Sequence, residues 1–310
     1  MKKKLPGYNK KKILVIGGTG FIGFHVIKEA KKRKLSVHSI SLHSPKPYRH
    51  HKGVKYIHLD ISNFQSLKKK LKDNSFDYVI NAGGYGEHPD FGHKGDKLIK
   101  SHLYGLINLL NILKKRKIKK FIQIGSSSEY GKVSSPIYEI KKCFPNTPYS
   151  IAKISCTNIL LNLYLNIKFP VTIFRLFQVY GPAQDDNRLL PYLIKNCLKN
   201  KKFKTTSGNQ LNDFCHVNDV VNAIFKSLNQ KKTNGQIINL GSGQPTKILN
   251  IILLVKNLIG KGKPIIGSLK HKKGMNMRSF PSIKKAKVLL KWKPKIELKN
   301  GVRNTINSFK

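Results

Sequence analysis

Ile13-Leu14-Val15-Ile16-Gly17-Gly18-Thr19-Gly20-Phe21-Ile22-Gly23, close to the amino terminus, decides the fold. Four consecutive apolar residues read as a strand buried on both faces, as in a parallel sheet. Glycines follow at 17, 20 and 23, and then Phe24, Val26, Ile27 and Ala30 carry a helical period. A tight turn needs a residue without a side chain, and a pyrophosphate reaches the backbone only where no Cβ intervenes. The helix amino terminus then presents free N–H groups and a partial positive charge to the anion. A glycine triplet alone is an ordinary turn. Between this strand and this helix it implies dinucleotide binding, with Gly17, Gly20, Phe21, Ile22 and Gly23 at the cofactor.

The rest of the chain continues the alternation. Strands are expected at residues 36–42, 54–59, 76–81, 120–125 and 171–177, with helical patterns at 62–71 and 98–115 between them. Such alternation means right-handed crossovers, so the predicted class is α/β, a doubly wound parallel sheet of the Rossmann, NAD(P)-binding type. Beyond Gly181 the pattern loosens into helices at 189–199, 217–228 and 248–258 and a short strand at 236–240. We therefore expect an NAD(P)-binding domain over 1–180 and a smaller carboxy-terminal substrate lid over 181–310, with 213–243 returning to the first. The lid should cover the carboxyl ends of the strands, where ligands of open parallel sheets bind.

The 310 residues hold 60 Lys and Arg against 14 Asp and Glu, a net charge of +46. A charge of that size attracts polyanions. Yet the excess is nearly all Lys and is spread along the chain, much of it on what should be solvated helix faces such as 66–72 and 114–120. Readers of nucleic acid cluster Arg and interleave aromatics. With abundant Asn and Ile, the lysines fit a drift in composition, and nucleic-acid contact is expected only as non-specific adhesion at low salt. No apolar run approaches the ~18 residues of a membrane span. The basic start MKKKLPGYNKKK leads into a short strand rather than a signal-peptide core. Four cysteines without a C-x-x-C pair or metal spacing imply reduced thiols, a cytoplasmic protein and no metal site.

The end of the second strand speaks to the cofactor. An acid there accepts from the adenosine ribose 2′-hydroxyl of NAD. Here the place is near Ser41, no acid occurs between Leu35 and Lys52, and His43, Lys46 and Arg49 follow. These groups suit a 2′-phosphate, so NADP(H) is favoured, with NAD(H) possible. Asp60, closing the third strand, is expected at the adenine amino group with Ile61 beside it.

Two further stretches carry the chemistry. Gly125-Ser126-Ser127-Ser128-Glu129-Tyr130-Gly131 follows the fifth strand, which puts its hydroxyls at the carboxyl edge of the sheet. Pro148-Tyr149-Ser150-Ile151-Ala152-Lys153 opens the next helix, with Tyr149 and Lys153 four apart on one face. An ammonium beside a phenol favours phenolate. A phenol so tuned hands a proton to a sugar oxygen as hydride reaches the same carbon, or runs the reverse. Ser126 is placed to hydrogen-bond that oxygen. Cys143 reads as a small apolar filler, His216 as a packed strand-to-helix residue, and Glu129 and Tyr130 as structural.

The chain resembles the extended short-chain dehydrogenases/reductases, in the NAD-dependent epimerase/dehydratase family that works on nucleotide sugars. The resemblance is carried by GGTGFIG (17–23), INAGG (80–84), GSSSEYG (125–131), PYSIAK (148–153), RLFQVYGP (175–182), DFCHVNDVVNAI (213–224), INLGSG (238–243) and PSIKKAKVLLKWKP (281–294). It implies that Ser126, Tyr149 and Lys153 are the catalytic trio, Lys153 also holding the nicotinamide ribose. It places Asn81, Ala82 and Gly83 along the cofactor, puts Phe177 and Val179 at the border of cofactor and substrate, and implies a homodimer through the two helices following Leu98 and Tyr149.

Departures from the family pattern narrow the reaction. Sugar 4,6-dehydratases carry an Asp-Glu pair after the catalytic hydroxyl. Here Ser127 and Ser128 stand there, beside the substrate, which argues against dehydration. Gln178 replaces the usual Asn and Asn212 the frequent Arg, so Arg188, Lys195 and Arg278 are expected to hold the diphosphate. The segments GSSSEYG and RLFQVYGPAQDDNRLLPYLI look most like reductases that turn a nucleotide-linked 4-keto-6-deoxyhexose into its deoxyhexose with NADPH, as in CDP-abequose or CDP-paratose synthesis. The alternative is an NAD-dependent 4-epimerase using the same trio. A non-enzymatic, RNA-associated role would require a broken trio, and the trio is intact.

Overall fold

A computed structural model describes residues 11–84, 89–271 and 276–310; the basic amino-terminal stretch, residues 1–10, lies outside the described residues. The backbone forms two compact units. The first takes the chain as far as Gly131, then Cys143–Arg175 and Ile224–Ile238, and the second takes Lys132–Lys142, Leu176–Ala223 and Asn239–Lys310. The chain passes between the units several times.

In chain order the elements that reach Leu176 are β1 (Lys12–Ile16), α1 (Phe21–Lys32), β2 (Ser36–Ser41), β3 (Lys55–His58), α2 (Phe64–Leu71), β4 (Tyr78–Asn81), α3 (His93–Ile99), α4 (Gly105–Leu113), β5 (Lys120–Ser126), α5 (Pro148–Ile167) and β6 (Val171–Leu176). Then follow β7 (Gln178–Tyr180), α6 (Leu189–Leu198), β8 (Lys202–Lys204), β9 (Leu211–His216), α7 (Val217–Ser227), β10 (Gln236–Leu240), β11 (Pro245–Lys247), α8 (Ile248–Ile259), β12 (Lys263–Ile265), β13 (Arg278–Ser279), α9 (Lys284–Leu290) and α10 (Leu298–Asn307).

Seven strands make one sheet in the order β10-β6-β5-β4-β1-β2-β3, with β1 pairing β2 and β4 in parallel. The strands are apolar because both faces are covered: Ile13, Leu14 and Val15 are wholly buried, as are Val79, Ile80, Phe121 and Ile122. Each contributes roughly 2 kcal/mol of burial. Connections run outward in both directions from β1 and β4, so the strand order reverses between them. Ligands of such sheets bind outside the carboxyl ends at that reversal. The strands fall where the sequence puts them, to within a residue or two.

The expected helix at 98–115 does not form as one piece. α3 begins at His93, a π-helical turn occupies Lys100–Tyr104, and α4 resumes at Gly105. A π turn admits one extra residue and rotates the helix beyond it. Here it accompanies a buried His102, 5 % exposed, and a Gly105 whose missing Cβ would stand 2.7 Å from the Ile61 side chain.

In the second unit β9 pairs antiparallel with β11 and parallel with β7 and β13, while β8 and β12 form a separate pair. α6, α8 and α10 close over a core that includes Leu193, Ile194, Ile251, Ile252 and Val302. Trp292 is buried and donates from Nε1 to the Asp219 carbonyl at 3.0 Å.

Candidate active site

The glycine-rich turn is built so that backbone replaces side chains. Gly17 sits at φ +74, and a Cβ there would meet the Ala82 carbonyl at 2.7 Å and Gly83 Cα at 2.6 Å. A Cβ on Gly23 would meet the Gly17 oxygen at 2.1 Å. The turn, the first residues of α1 and the end of β4 therefore interlock at van der Waals distance. Beside them lies a cavity of about 350 Å³. Of the residues expected at the cofactor, Gly17, Gly20, Ser41, His43, Asp60, Ile61, Ala82 and Gly83 line it. Lys97, Lys100 and Ser101, which the sequence did not single out, line it too, and the Ser101 hydroxyl is buried without a hydrogen-bond partner. A glycine cradle, a helix amino terminus and an uncommitted buried hydroxyl fit a dinucleotide.

Other expected cofactor residues act one step behind the cavity wall. Asn81 donates to Gln123 Oε1 at 2.9 Å and accepts from the Gly83 N–H at 3.3 Å, which shapes the turn after β4. Arg49 does not line the cavity. It is buried, and its Nη1 donates to the Thr19 carbonyl at 3.2 Å, so its charge sits behind the glycine-rich turn instead of facing outward. Ser41 Oγ accepts from the Thr19 N–H at 3.3 Å, and Asp60 accepts from the Ser62 N–H at 2.9 Å. Phe21 and Ile22 stand half-buried in the first turn of α1.

Ser126, Tyr149 and Lys153 lie within the same unit. Thr147 and Ser150 cap α5 reciprocally, each accepting the other's N–H, and Pro148 opens it. This fixes Tyr149 in the first turn. Lys153, 5 % exposed, donates to the Ile124 carbonyl at 3.0 Å, and its Nζ lies 5.6 Å from the centre of the Tyr149 ring. On β5, Ser126 Oγ accepts twice from Ser128, from N at 3.2 Å and from Oγ at 2.9 Å. A hydroxyl has two acceptor sites and one proton. With both sites filled, the Ser126 proton is left to donate to a ligand oxygen. The His102 ring packs edge-on against Tyr149 at 5.6 Å, a contact that long-range geometry alone reveals.

The family model for the "NAD dependent epimerase/dehydratase family" matches residues 13–241. The chain belongs to this family. It is 29% identical over 308 residues to the UDP-glucuronate 4-epimerase of Thermodesulfobacterium geofontis, covering 95% of this chain and 94% of that one. Among solved structures it is similar to the UDP-glucose 4-epimerase of Thermotoga maritima with UDP-glucose, at TM-score 0.90 and 25% identity over 96% of this chain and 98% of that one. It is similar too to the UDP-glucuronic acid 4-epimerase of Bacillus cereus in complex with UDP-glucuronic acid and NAD, at TM-score 0.85 and 28% identity, again over 96% and 98%.

Behind these residues, in the first unit, lies a charged pair. Glu129, fully buried, accepts from Arg175 Nε at 2.8 Å, and the Arg175 guanidinium lies 4.3 Å from the Tyr130 ring centre. Burial pushes the Cys143 thiol up, against the pull of that guanidinium, as suits a filler. The Cys156 thiol is pushed up to about 12 by burial.

The remaining expected residues belong to the second unit. Gln178 and Val179 lie on β7 and Phe177 just precedes it. Arg188 precedes α6, while Lys195 pairs with Asp186 at 2.5 Å. Arg278 opens β13 and stacks loosely on Phe280. His216 ends β9, edge-on to Tyr180 at 5.3 Å, and burial lowers its pKa. Asp213 accepts from the Ser242 and Gly243 N–H groups, both at 2.6 Å, which ties two of the family segments together.

Proposed function

We propose that this protein is a nucleotide-sugar 4-epimerase acting on a UDP-linked hexose or hexuronic acid. One observation carries the reading: Ser126, with its proton left to donate, shares a unit with the Tyr149–Lys153 pair and the glycine cradle, and only hydroxyls stand where a dehydratase needs an acid-base pair. Ser127 and Ser128 lack the chemistry to eliminate water. The related 4-epimerases support the same reaction and the UDP group.

The residues divide the work. Gly17, Gly20 and Gly23 admit the pyrophosphate to the backbone, and Lys153 holds the nicotinamide ribose. Nicotinamide, when bound, supplies hydride exchange at the sugar carbon. Tyr149 takes the proton of the 4-hydroxyl and returns it when the sugar has turned. Ser126 donates to that oxygen throughout, most strongly when it carries charge. Arg188, Lys195 and Arg278 are the proposed diphosphate partners, with Gln178 at the sugar. A homodimer through α4 and α5 and a cytoplasmic setting belong to the same reading.

A second reading, reduction of a nucleotide-linked 4-keto-6-deoxyhexose by NADPH, is favoured by one feature. β2 ends at Ser41 without an acid, and Leu42 and His43 follow at the cavity. The test is direct. Incubated with UDP-glucose and with UDP-glucuronic acid without added reductant, the protein should interconvert each acid or sugar with its C4 epimer, read by NMR. Tyr149→Phe should slow turnover by about 10³-fold. Absorbance loss at 340 nm with NADPH and dTDP-4-keto-6-deoxyglucose, without epimerisation, would replace the epimerase by the reductase.

A further inference from the structure

Behind Ser126 lies a charged group that the proton chemistry above does not use. The Glu129 carboxylate, 0 % exposed, binds three separate elements of the first unit. Its Oε1 accepts from the Ser126 backbone N–H at 2.8 Å. Its Oε2 accepts from Thr157 Oγ1 on α5 at 2.8 Å and from Arg175 Nε on β6 at 2.8 Å. Thr157 is 0 % exposed and Arg175 1 %. Thr157 stands one turn beyond Lys153 and about two beyond Tyr149, on one side of the helix. The carboxylate also lies hard against β5: a Cβ on Gly125 would come within 2.6 Å of Oε1.

A buried ion pair is a poor source of stability, because desolvating both charges offsets their attraction, and a well-packed apolar pair does as well. What an apolar pair cannot do is span three elements with directed, charge-assisted bonds. Two oxygens reach the end of β5, which carries the Ser126 hydroxyl, the helix that carries the phenol and ammonium, and β6. We propose that the Glu129–Arg175 pair, through Ser126 N–H and Thr157 Oγ1, sets the spacing between the Ser126 hydroxyl and Tyr149. Both are positioning residues, and neither exchanges a proton with substrate. The inference rests on the trio being catalytic.

The experiment replaces the pair by apolar residues of similar size, Glu129→Met with Arg175→Met, in the wild-type and in the Ser126→Ala background. Turnover is read on whichever of UDP-glucose, UDP-glucuronic acid and dTDP-4-keto-6-deoxyglucose the wild-type protein converts fastest. In the wild-type background kcat should fall at least about 10-fold, with KM, nicotinamide nucleotide affinity and melting temperature little changed. In the Ser126→Ala background the same replacement should change kcat less than about 2-fold, since the spacing it disturbs no longer matters. Thr157→Val, nearly isosteric, is the second variant should the paired replacement not fold, and the same loss of effect is expected for it. Equal falls in both backgrounds, or no fall in the first, overturn the proposal alone. Wild-type kcat in Ser126→Ala itself overturns the trio as well.

Discussion

The two ends of the seven-stranded sheet are made from the same strands and treat polar groups in opposite ways. At the amino end Asp77, Lys119 and Lys120 are all engaged within the protein. Asp77, just before β4, accepts from the Lys12 N–H at 2.9 Å and pairs with Lys119 at 2.7 Å. Lys120 Nζ, on the first residue of β5, is surrounded by Thr172 Oγ1, the Gln230 carbonyl, Thr233 Oγ1 and Asn234 Oδ1. At the carboxyl end β1 runs into glycines beside a cavity, the Ser101 hydroxyl at that cavity has no hydrogen-bond partner, and the Ser126 proton is left to donate. The contrast separates holding from binding: one end spends its polar groups on the fold and the other keeps them for a ligand.

The comparison breaks most sharply at Gly23. Gly23→Ala pushes a methyl into the Gly17 oxygen, a backbone contact that cannot rotate away. Nicotinamide nucleotide affinity should fall at least about 100-fold, or roughly 2.7 kcal/mol, in a fluorescence titration. Unchanged affinity would show that the cradle does not touch the pyrophosphate.

The amino end should answer in stability instead. Burial lowers the Lys120 pKa from 10.5 to about 8. Because the folded value lies below the unfolded one, the unfolded chain holds more protons between those limits, and stability rises with pH across that window. Subtracting the denaturation curves of Lys120→Met from those of the wild type should leave a rise of roughly 3 kcal/mol from pH 8 to 10.5. Activity should be retained. A flat difference would mean that the four oxygens hold the ammonium charged throughout.

The smallest effect belongs to Asp77. Burial raises its pKa, but the Lys119 ammonium and the Lys12 N–H outweigh that and hold it below its ordinary 3.8. The group then contributes stability above 3.8 that is lost as pH falls through the folded value. Asp77→Asn should cost no more than about 1 kcal/mol at neutral pH, since Lys119 is largely exposed, and less near pH 2. Chemical denaturation at the two pH values measures it.

The carboxyl end was the more legible of the two in sequence. Gly17, Gly20 and Gly23 announce themselves because a tight strand-to-helix turn imposes a local spacing, and Tyr149 and Lys153 because one helical turn does. The features that stayed hidden depend on residues far apart in the chain. The π turn interrupts an apolar period that runs on unbroken through 98–113, and its cause is tertiary: His102 faces Tyr149, and a Cβ on Gly84 would strike its ring at 2.0 Å. Glu129 read as structural, but its partner Arg175 lies 46 positions away, with nothing local to join them. Arg49 had the charge expected beside a 2′-phosphate. The short turn Pro47–Arg49 carries it under the glycine-rich loop instead, where it donates to the Thr19 carbonyl.

The place of β10 bears on how the chain is made. It is the outermost neighbour of β6 in the sheet, yet Gln236 leaves the ribosome 60 residues after Leu176. At about 5–20 residues per second, that is a wait of roughly 3 to 12 s. All six residues of β6 are destined for burial, Val171-Thr172-Ile173-Phe174-Arg175-Leu176, and until β10 arrives its outer edge offers free backbone groups to any passing strand. The seven-stranded sheet is thus finished late, and the nascent protein must be guarded from its neighbours for as long as residues 177–235 take to be translated.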